Sequence, residues 1–513
     1  MELELKTISL DGFDMEAEQI LTQEETAETI VPDYCPDIAR IIDTEGKIFL
    51  HSRELRDGKA EVSGTIRVTV LYTPDGESGI RTLELAIPFS AETDSRAMAD
   101  CVSFCGLSEI EFLETRSLNP RKVFTRCKLV TRLTGYRRQP LTVCGDVDAS
   151  AELCLEKKQE VRHTTLLMQI VEKDFTFSDE MDLPPGKEGA AEILTSRASA
   201  AVTESRIVGN KLILKGVFQV HILYRSVSGR FCSACGELPF SQILEVSGAS
   251  EDALVSAQLQ FTGSDVQVSG AADQDGHRIA VTLYLHAAAE IRQERTVTLL
   301  SDLYSTAYDL SYDAEAVTLT ERSDLFTRRQ TIREMLEVGV VAGSLLSFNV
   351  SCGGVTVSRE GEHSVLRSAV TVRALYLDEG GVPLVTERST DAVCQLELPD
   401  GCHVSAAACC PEEVQGSLDD RGINVRFPVE FRVRVTTRSK TPCLRAVRLL
   451  ADTPKNLVDA PSLVLRSLGK EESLWMLAKQ YNTTVADILA ANELESEHDV
   501  SRESLLLIPK KRV

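Results

Sequence analysis

The chain lacks the marks of an enzyme. Across 513 residues there is no Gly-x-Ser-x-Gly elbow, no Walker loop, no dinucleotide fingerprint and no His-Glu-x-x-His. The eight histidines (His51, His163, His221, His277, His286, His363, His403, His498) are dispersed, with no pair at helical ligand spacing. Aromatic residues make up only 5%, and Trp475 is the single tryptophan. That is too few to line the deep cleft in which paired carboxylates cleave glycosides. No apolar run approaches the roughly 20 residues of a membrane span. The opening stretch, Met1 to Asp11, is acidic and has neither a basic nor an apolar signal region, so no secretory leader and a cytoplasmic location are expected. Basic residues are in deficit: 55 Lys and Arg stand against 78 Asp and Glu, a formal net charge of −23. A surplus of that sign argues against nucleic acid and against insertion into or binding on anionic membranes.

Fourteen cysteines run from Cys35 to Cys443, clustered only as Cys101-x-x-x-Cys105, Cys232-x-x-Cys235 and Cys409-Cys410. A zinc site needs a second close Cys or His pair, and none is adjacent. Reduced, mostly buried thiols are the expectation, with no metal and no cofactor. The stretch Pro32-Asp33-Tyr34-Cys35-Pro36-Asp37 reads as a thiol or metal site, or as a proline-stiffened turn. The turn is preferred, leading into a helical face made by Ile38, Ile41 and Ile42.

A repeat organises the chain. Val62 to Tyr72, Leu214 to Tyr224 and Leu366 to Tyr376 align without gaps at a constant offset of 152 residues. Each alternates apolar and polar positions, as a half-buried strand requires. Gly64, Gly216, Tyr72, Tyr224 and Tyr376 mark the copies, and Asp57-Gly58, Gly209-Asn210 and Gly361-Glu362 supply turn chemistry before each strand. Val31-Pro32 and Ile41 match Leu183-Pro184 and Ile193, whereas the third unit shows no evident counterpart. A second alternating run closes each unit, from Lys122, Arg278 and Gly422. Such spacing predicts a mainly β protein of three tandem sandwich-like domains.

The last fifty residues differ. Leu463–Leu468 reads as a strand, Ser473–Tyr481 and Asn482–Asn492 as two amphipathic helices, and Ser504–Pro509 as a closing strand. Ser473 suits the first N-cap, Asn482 a left-handed residue, and Thr484 with Asp487 a capping box. Asn492 suits the end of the second helix. Trp475 reads as a ring wedged between helix and sheet, or as a sugar-stacking platform. This βααβ pattern resembles a LysM module, a small α+β unit that holds peptidoglycan or chitin sugars.

Three β repeats followed by such a module resemble the SipL-like spore coat morphogenesis family, built from SPOCS (spore-coat-associated) domains and LysM. The residues carrying the match are Val31-Pro32-Asp33, Pro36-Asp37-Ile38, Arg40-Ile41, the Gly64-to-Tyr72 strand with its copies, and Ser473 through Pro509. The resemblance divides the chain into an N-terminal segment (1–30), repeats at 31–165, 170–325 and 326–450, a linker (451–461) and a LysM domain (462–513). It implies a non-enzymatic scaffold in endospore envelope assembly, in the mother-cell cytoplasm at the forespore surface. The implied partners are a SpoIVA-type coat ATPase, contacted through the LysM module, and other coat proteins. The alternative is a tether to cortex peptidoglycan, and a wall hydrolase is a third reading. The loops depart from the glycan-binding pattern, because Glu471-Glu472 stands where Gly-Asp is usual and Ser501-Arg502 where Pro-Gly is usual. Lys470, Glu471, Glu472, Ser473, Glu497, Asp499, Ser501 and Arg502 are therefore the expected binding surface, for protein rather than sugar.

Overall fold

The computed structural model describes residues 2–76, 79–93, 98–269, 276–361, 363–411, 414–419, 421–450, 454–455, 461, 463–469, 472–499 and 505–509. Alternation dominates it. In the strand Lys59–Pro74, Ala60, Val62, Ile66, Val68, Val70 and Tyr72 are all buried, while Glu61, Ser63, Thr65, Arg67 and Thr69 face outward. Burying each large apolar side chain contributes about 1.5–3 kcal/mol, enough to set the register.

The first unit opens with β1 (Glu4–Leu10) and β2 (Phe13–Ile30), followed by a meander of β3 (Ile38–Arg56), β4 (Lys59–Pro74) and β5 (Arg81–Thr93). Then come β6 (Ser103–Asn119), β7 (Lys122–Arg138) and β8 (Leu141–Asp148). The second unit repeats the plan with β9 (Leu155–Asp182), a meander of β10 (Ala190–Val208), β11 (Lys211–Ser226) and β12 (Phe231–Glu245), and the hairpin β13 (Leu254–Val268) with β14 (Arg278–Ser305). The third has β15 (Leu310–Glu337), a meander of β16 (Ala342–Glu360), β17 (His363–Asp378) and β18 (Pro383–Glu397), then β19 (His403–Cys409), β20 (Gln415–Asp419) and β21 (Gly422–Leu449). In each unit the meander packs on a sheet whose middle is a long antiparallel pair: β2 with β7, β9 with β14, β15 with β21. The first two of these sheets join edge to edge at Phe13 and Leu167.

Several expectations need correction. The segment 1–30 is not separate, because β2 pairs along its length with β7. Boundaries at 165/170 and 325/326 fall inside β9 and β15. Ile38, Ile41 and Ile42 belong to β3 and not to a helix: the register shift at Ile38/Arg40 inserts an extra residue, so Ile38 and Ile41, opposite Pro74 and Tyr72, share one face at a spacing of three, which imitates a helix. Equivalent bulges recur at Ala190/Glu192 and Ile193/Thr195, and at Ala342/Ser344 and Leu345/Ser347. The third unit thus does have its counterpart, Leu345 opposite Tyr376, as Ile41 is opposite Tyr72 and Ile193 opposite Tyr224.

The repeat markers are structural. A Cβ on Gly64 would meet the Phe49 carbonyl at 2.3 Å and the Phe89 ring at 2.9 Å; on Gly216 it would meet the Ala201 carbonyl at 2.1 Å and the Phe240 ring at 2.7 Å. Where the third unit has Ser368, the facing residue is Ala392 instead of phenylalanine, and the hydroxyl donates to Gly353 O at 2.8 Å. Tyr72 and Tyr224 are buried and donate to Pro36 O and Glu188 O, at 3.3 and 3.0 Å; burial pushes both phenols up to about 12. The Pro32–Asp37 stretch is a turn clamped by Arg121, which donates to Cys35 O at 2.7 Å and Val31 O at 2.9 Å.

The three units close into a ring. Ile42, Leu194 and Leu346 converge with Leu71, Leu223 and Leu375 in one apolar cluster, each trio spaced by 152 residues. The far ends of the long strands form another shared core, containing Leu3, Val143, Val147, Leu299, Leu303, Leu319, Leu444 and Val447. There the Leu3 N–H donates to Val447 O at 2.9 Å, joining the first unit to the third. Glu290 is the polar counterpart: it accepts from Tyr136 at 2.6 Å and pairs with Arg434 at 2.6 Å and Arg292 at 3.0 Å, so all three units meet on one carboxylate.

Candidate functional site

The terminal module is built by local chemistry. Ser473 Oγ accepts the Met476 N–H at 3.3 Å and starts α1 (Leu474–Gln480); Thr484 Oγ1 accepts the Asp487 N–H at 3.0 Å and starts α2 (Val485–Ala491). Between them Asn482 adopts φ 55°, a conformation its short amide tolerates. Strands β22 (Leu463–Ser467) and β23 (Leu505–Pro509) pair antiparallel. Asn492 stitches helix to sheet, donating to Leu507 O and accepting from Leu507 N, both at 2.7 Å. Leu474, Leu477, Ala478, Ile488, Leu506 and Ile508 form the core.

One member of that core comes from outside the module. Tyr304, at the end of β14, packs edge-on against Trp475 with ring centres 5.0 Å apart, and its hydroxyl donates to Thr483 O at 2.8 Å. Asp302, two residues earlier, accepts from Trp475 Nε1 at 2.7 Å, Lys479 Nζ at 2.6 Å and Tyr312 OH at 2.7 Å. Burial alone would raise the Asp302 carboxyl, but these three donors outweigh it and hold it below its usual range. Burial likewise opposes the Lys479 charge, and its bonds to Asp302 and Tyr312 raise it nevertheless. Lys455, in the segment expected to be a linker, donates to Ser305 O at 3.1 Å and Asn482 Oδ1 at 2.7 Å. Trp475 is therefore not a free stacking ring: it packs against the module's core and also joins the module to the ring. Periodicity could not reveal this, because Asp302, Tyr304 and Tyr312 lie more than a hundred residues away and look like ordinary strand positions.

The expected binding residues divide. Lys470, Glu471, Ser501 and Arg502 lie outside the described residues. Ser473 is the helix cap. Glu472 is held inside its loop, paired with Arg466 at 2.5 Å and accepting the Gly469 N–H at 3.0 Å. Asp499 accepts from the Ser496 N–H and hydroxyl, both at 2.9 Å, and Glu497 is exposed. Pattern reading missed the outer face of the β22–β23 sheet, where Leu463, Leu465 and Leu505 are 51%, 60% and 66% exposed. The signal was present in the alternation: Val464, Leu506 and Ile508 point inward, which turns their neighbours out.

Comparison with protein-family models fits this architecture. The model described as "SipL, SPOCS domain" matches residues 37–112 and 189–269, which begin with the first two meanders, and the LysM domain model matches 469–501. The chain carries SipL-type SPOCS domains and a LysM domain. The third unit has the same strand plan as the two matched SPOCS segments, with β16–β18 at the same 152-residue offset. No curated protein and no solved structure matches the chain. SPOCS and LysM domains are non-catalytic binding domains and support a sporulation-associated role in peptidoglycan binding or scaffolding. Among the described residues no helix is long and apolar enough to cross a membrane.

Proposed function

We propose that the protein is a non-enzymatic adaptor of the endospore envelope, acting at the forespore surface in the mother cell and docking through its LysM domain onto a SpoIVA-type coat ATPase. The observation that carries this reading is the outer sheet face of the module, where Leu463, Leu465 and Leu505 stand exposed beside a loop whose Glu472 is fixed by Arg466. Exposed leucines at this density suit a protein partner, since apolar patches ringed by charge are typical of such interfaces. An acetylated sugar packing on the first loop would have to desolvate the Glu472–Arg466 ion pair, which suits it poorly.

The test is capture of the purified coat ATPase by the full chain. Leu465→Glu and Leu505→Glu should each weaken it at least tenfold while circular dichroism and melting stay unchanged; undiminished capture would sink the reading. Saturable binding of chito-oligomers below millimolar concentration, insensitive to Leu465→Glu, would favour the peptidoglycan tether instead.

A further inference from the structure

Between the three repeats lies a cavity of about 940 Å³, bordered by β3, β10 and β16 around the ring axis and by β6, β11, β12 and β13. That volume is in the range of small-molecule sites. Its walls are mixed. Ile48, Ile110, Leu259, Phe261, Leu345 and Phe348 give apolar surface from all three units, and serines intervene.

The wall carries three cations, Lys47, Lys187 and Arg197, against one carboxylate, Glu109. Arg197 is matched by Glu45 and donates to Phe348 O at 2.7 Å. At the rim, exposed Lys187 and Glu109 are of opposite sign. Lys47 remains: its ammonium donates to the Ser196 hydroxyl at 2.7 Å, and among the described residues no carboxylate lies within ion-pair distance. Burial depresses its proton affinity, while Glu45, Glu84 and Asp265 favour the charge from further off. The repeat makes this lysine conspicuous. Its counterparts at the 152-residue offset are Ser199 and Ser351, so only the first unit has a cation at this position of the repeat, and Ser199 lines the same cavity. A half-buried ammonium with a neutral partner is an electrostatic vacancy that an anion fills.

We propose that this cavity binds a small amphipathic organic anion, a carboxylate on an aliphatic chain, with the Lys47 ammonium holding the head group and the apolar wall the tail. The inference is independent of what the LysM domain contacts.

The experiment uses the full chain and two probes, the fluorescent sulfonate 1-anilinonaphthalene-8-sulfonate and dodecanoate. The sulfonate should bind saturably at one site and be displaced by dodecanoate, but not by inorganic phosphate, which lacks a tail, nor by dodecyltrimethylammonium, which has the wrong sign. Lys47→Met should weaken both probes at least tenfold with the melting temperature retained, and Lys47→Arg should keep affinity within about threefold. Ser347→Phe, which fills the cavity from another unit, should abolish binding independently. Unsaturable binding, equal displacement by the cationic detergent, or unchanged affinity in folded Lys47→Met would each overturn the proposal.

Discussion

Trp475 Nε1 donates to Asp302 Oδ2 across 2.7 Å, and this bond ties the LysM domain to the end of the second repeat. Trp475 is the only tryptophan, so its fluorescence reports docking with no background from the rest of the chain. Asp302→Ala should shift its emission to longer wavelength and expose Lys455 to trypsin. Each charge-assisted bond lost contributes about 1.5–3 kcal/mol, so the docking equilibrium constant should fall by an order of magnitude or more. An unshifted emission maximum would remove Asp302 from the docking contact.

Docking should also depend on pH in a defined direction. The Asp302 carboxyl is held below its ordinary value of 3.8, so its contribution is complete above that value and disappears as pH falls through the lower folded one. Lys479 is raised above 10.5, so its contribution is complete below that value and disappears as pH rises through the higher folded one. Trp475 emission should accordingly be flat between about pH 5 and about pH 9. Asp302→Asn should flatten the acid limb, and an identical acid limb in that variant would assign the transition to other carboxylates.

Gly216→Ala should be far more damaging than an exposed Gly→Ala change. Its Cβ would lie 2.1 Å from the Ala201 carbonyl, so strand β10 must move. Overpacking of this kind costs about 1–3 kcal/mol, which differential scanning calorimetry resolves. Gly229→Ala is the contrast: no atom lies within 4 Å, and only its φ of 84° is strained.

Glu290 carries the polar joint of the ring. Burial pushes its carboxyl up, but Arg292 and Arg434 beside it, with the Tyr136 hydroxyl, hold it below the usual range. Arg434→Met removes one cation and leaves a buried charge short of partners, an effect of about 3–5 kcal/mol. Glu290→Gln with Arg434→Met should recover part of that loss in urea unfolding; strict additivity would show that the two residues do not interact.

Much of this was legible in the sequence, and what was not has physical causes. The 152-residue offset, the alternation in Val62–Tyr72 and the caps Ser473 and Thr484 are local signals, and local geometry decided them. Ile38, Ile41 and Ile42 misled because the extra residue of a bulge puts Ile38 and Ile41, three apart, on one face of a strand and so borrows the spacing of a helix. The start of the third repeat was hidden because Leu345 keeps only the shape and hydrophobicity of Ile41, with no proline motif before it. The partners of Trp475 were beyond reach, since nothing in Asp302 or Tyr304 distinguishes them until the ring brings them to the module.

Ring closure also has a consequence in time. The contact that joins first unit to third pairs Leu3 with Val447, so the earliest part of the body to leave a ribosome must wait for nearly the last. The seat of the LysM domain, Asp302, Tyr304 and Tyr312, lies in β14 and at the start of β15, and the LysM domain emerges after both. Contacts this distant in sequence form slowly. A chain stalled before the module leaves that seat empty, and only one made through to the LysM domain fills it. A seated module is, in effect, a sign that β14 and the start of β15 have folded and that the chain has been made through its LysM domain, readable by pulse-chase proteolysis as protection of Lys455 appearing last.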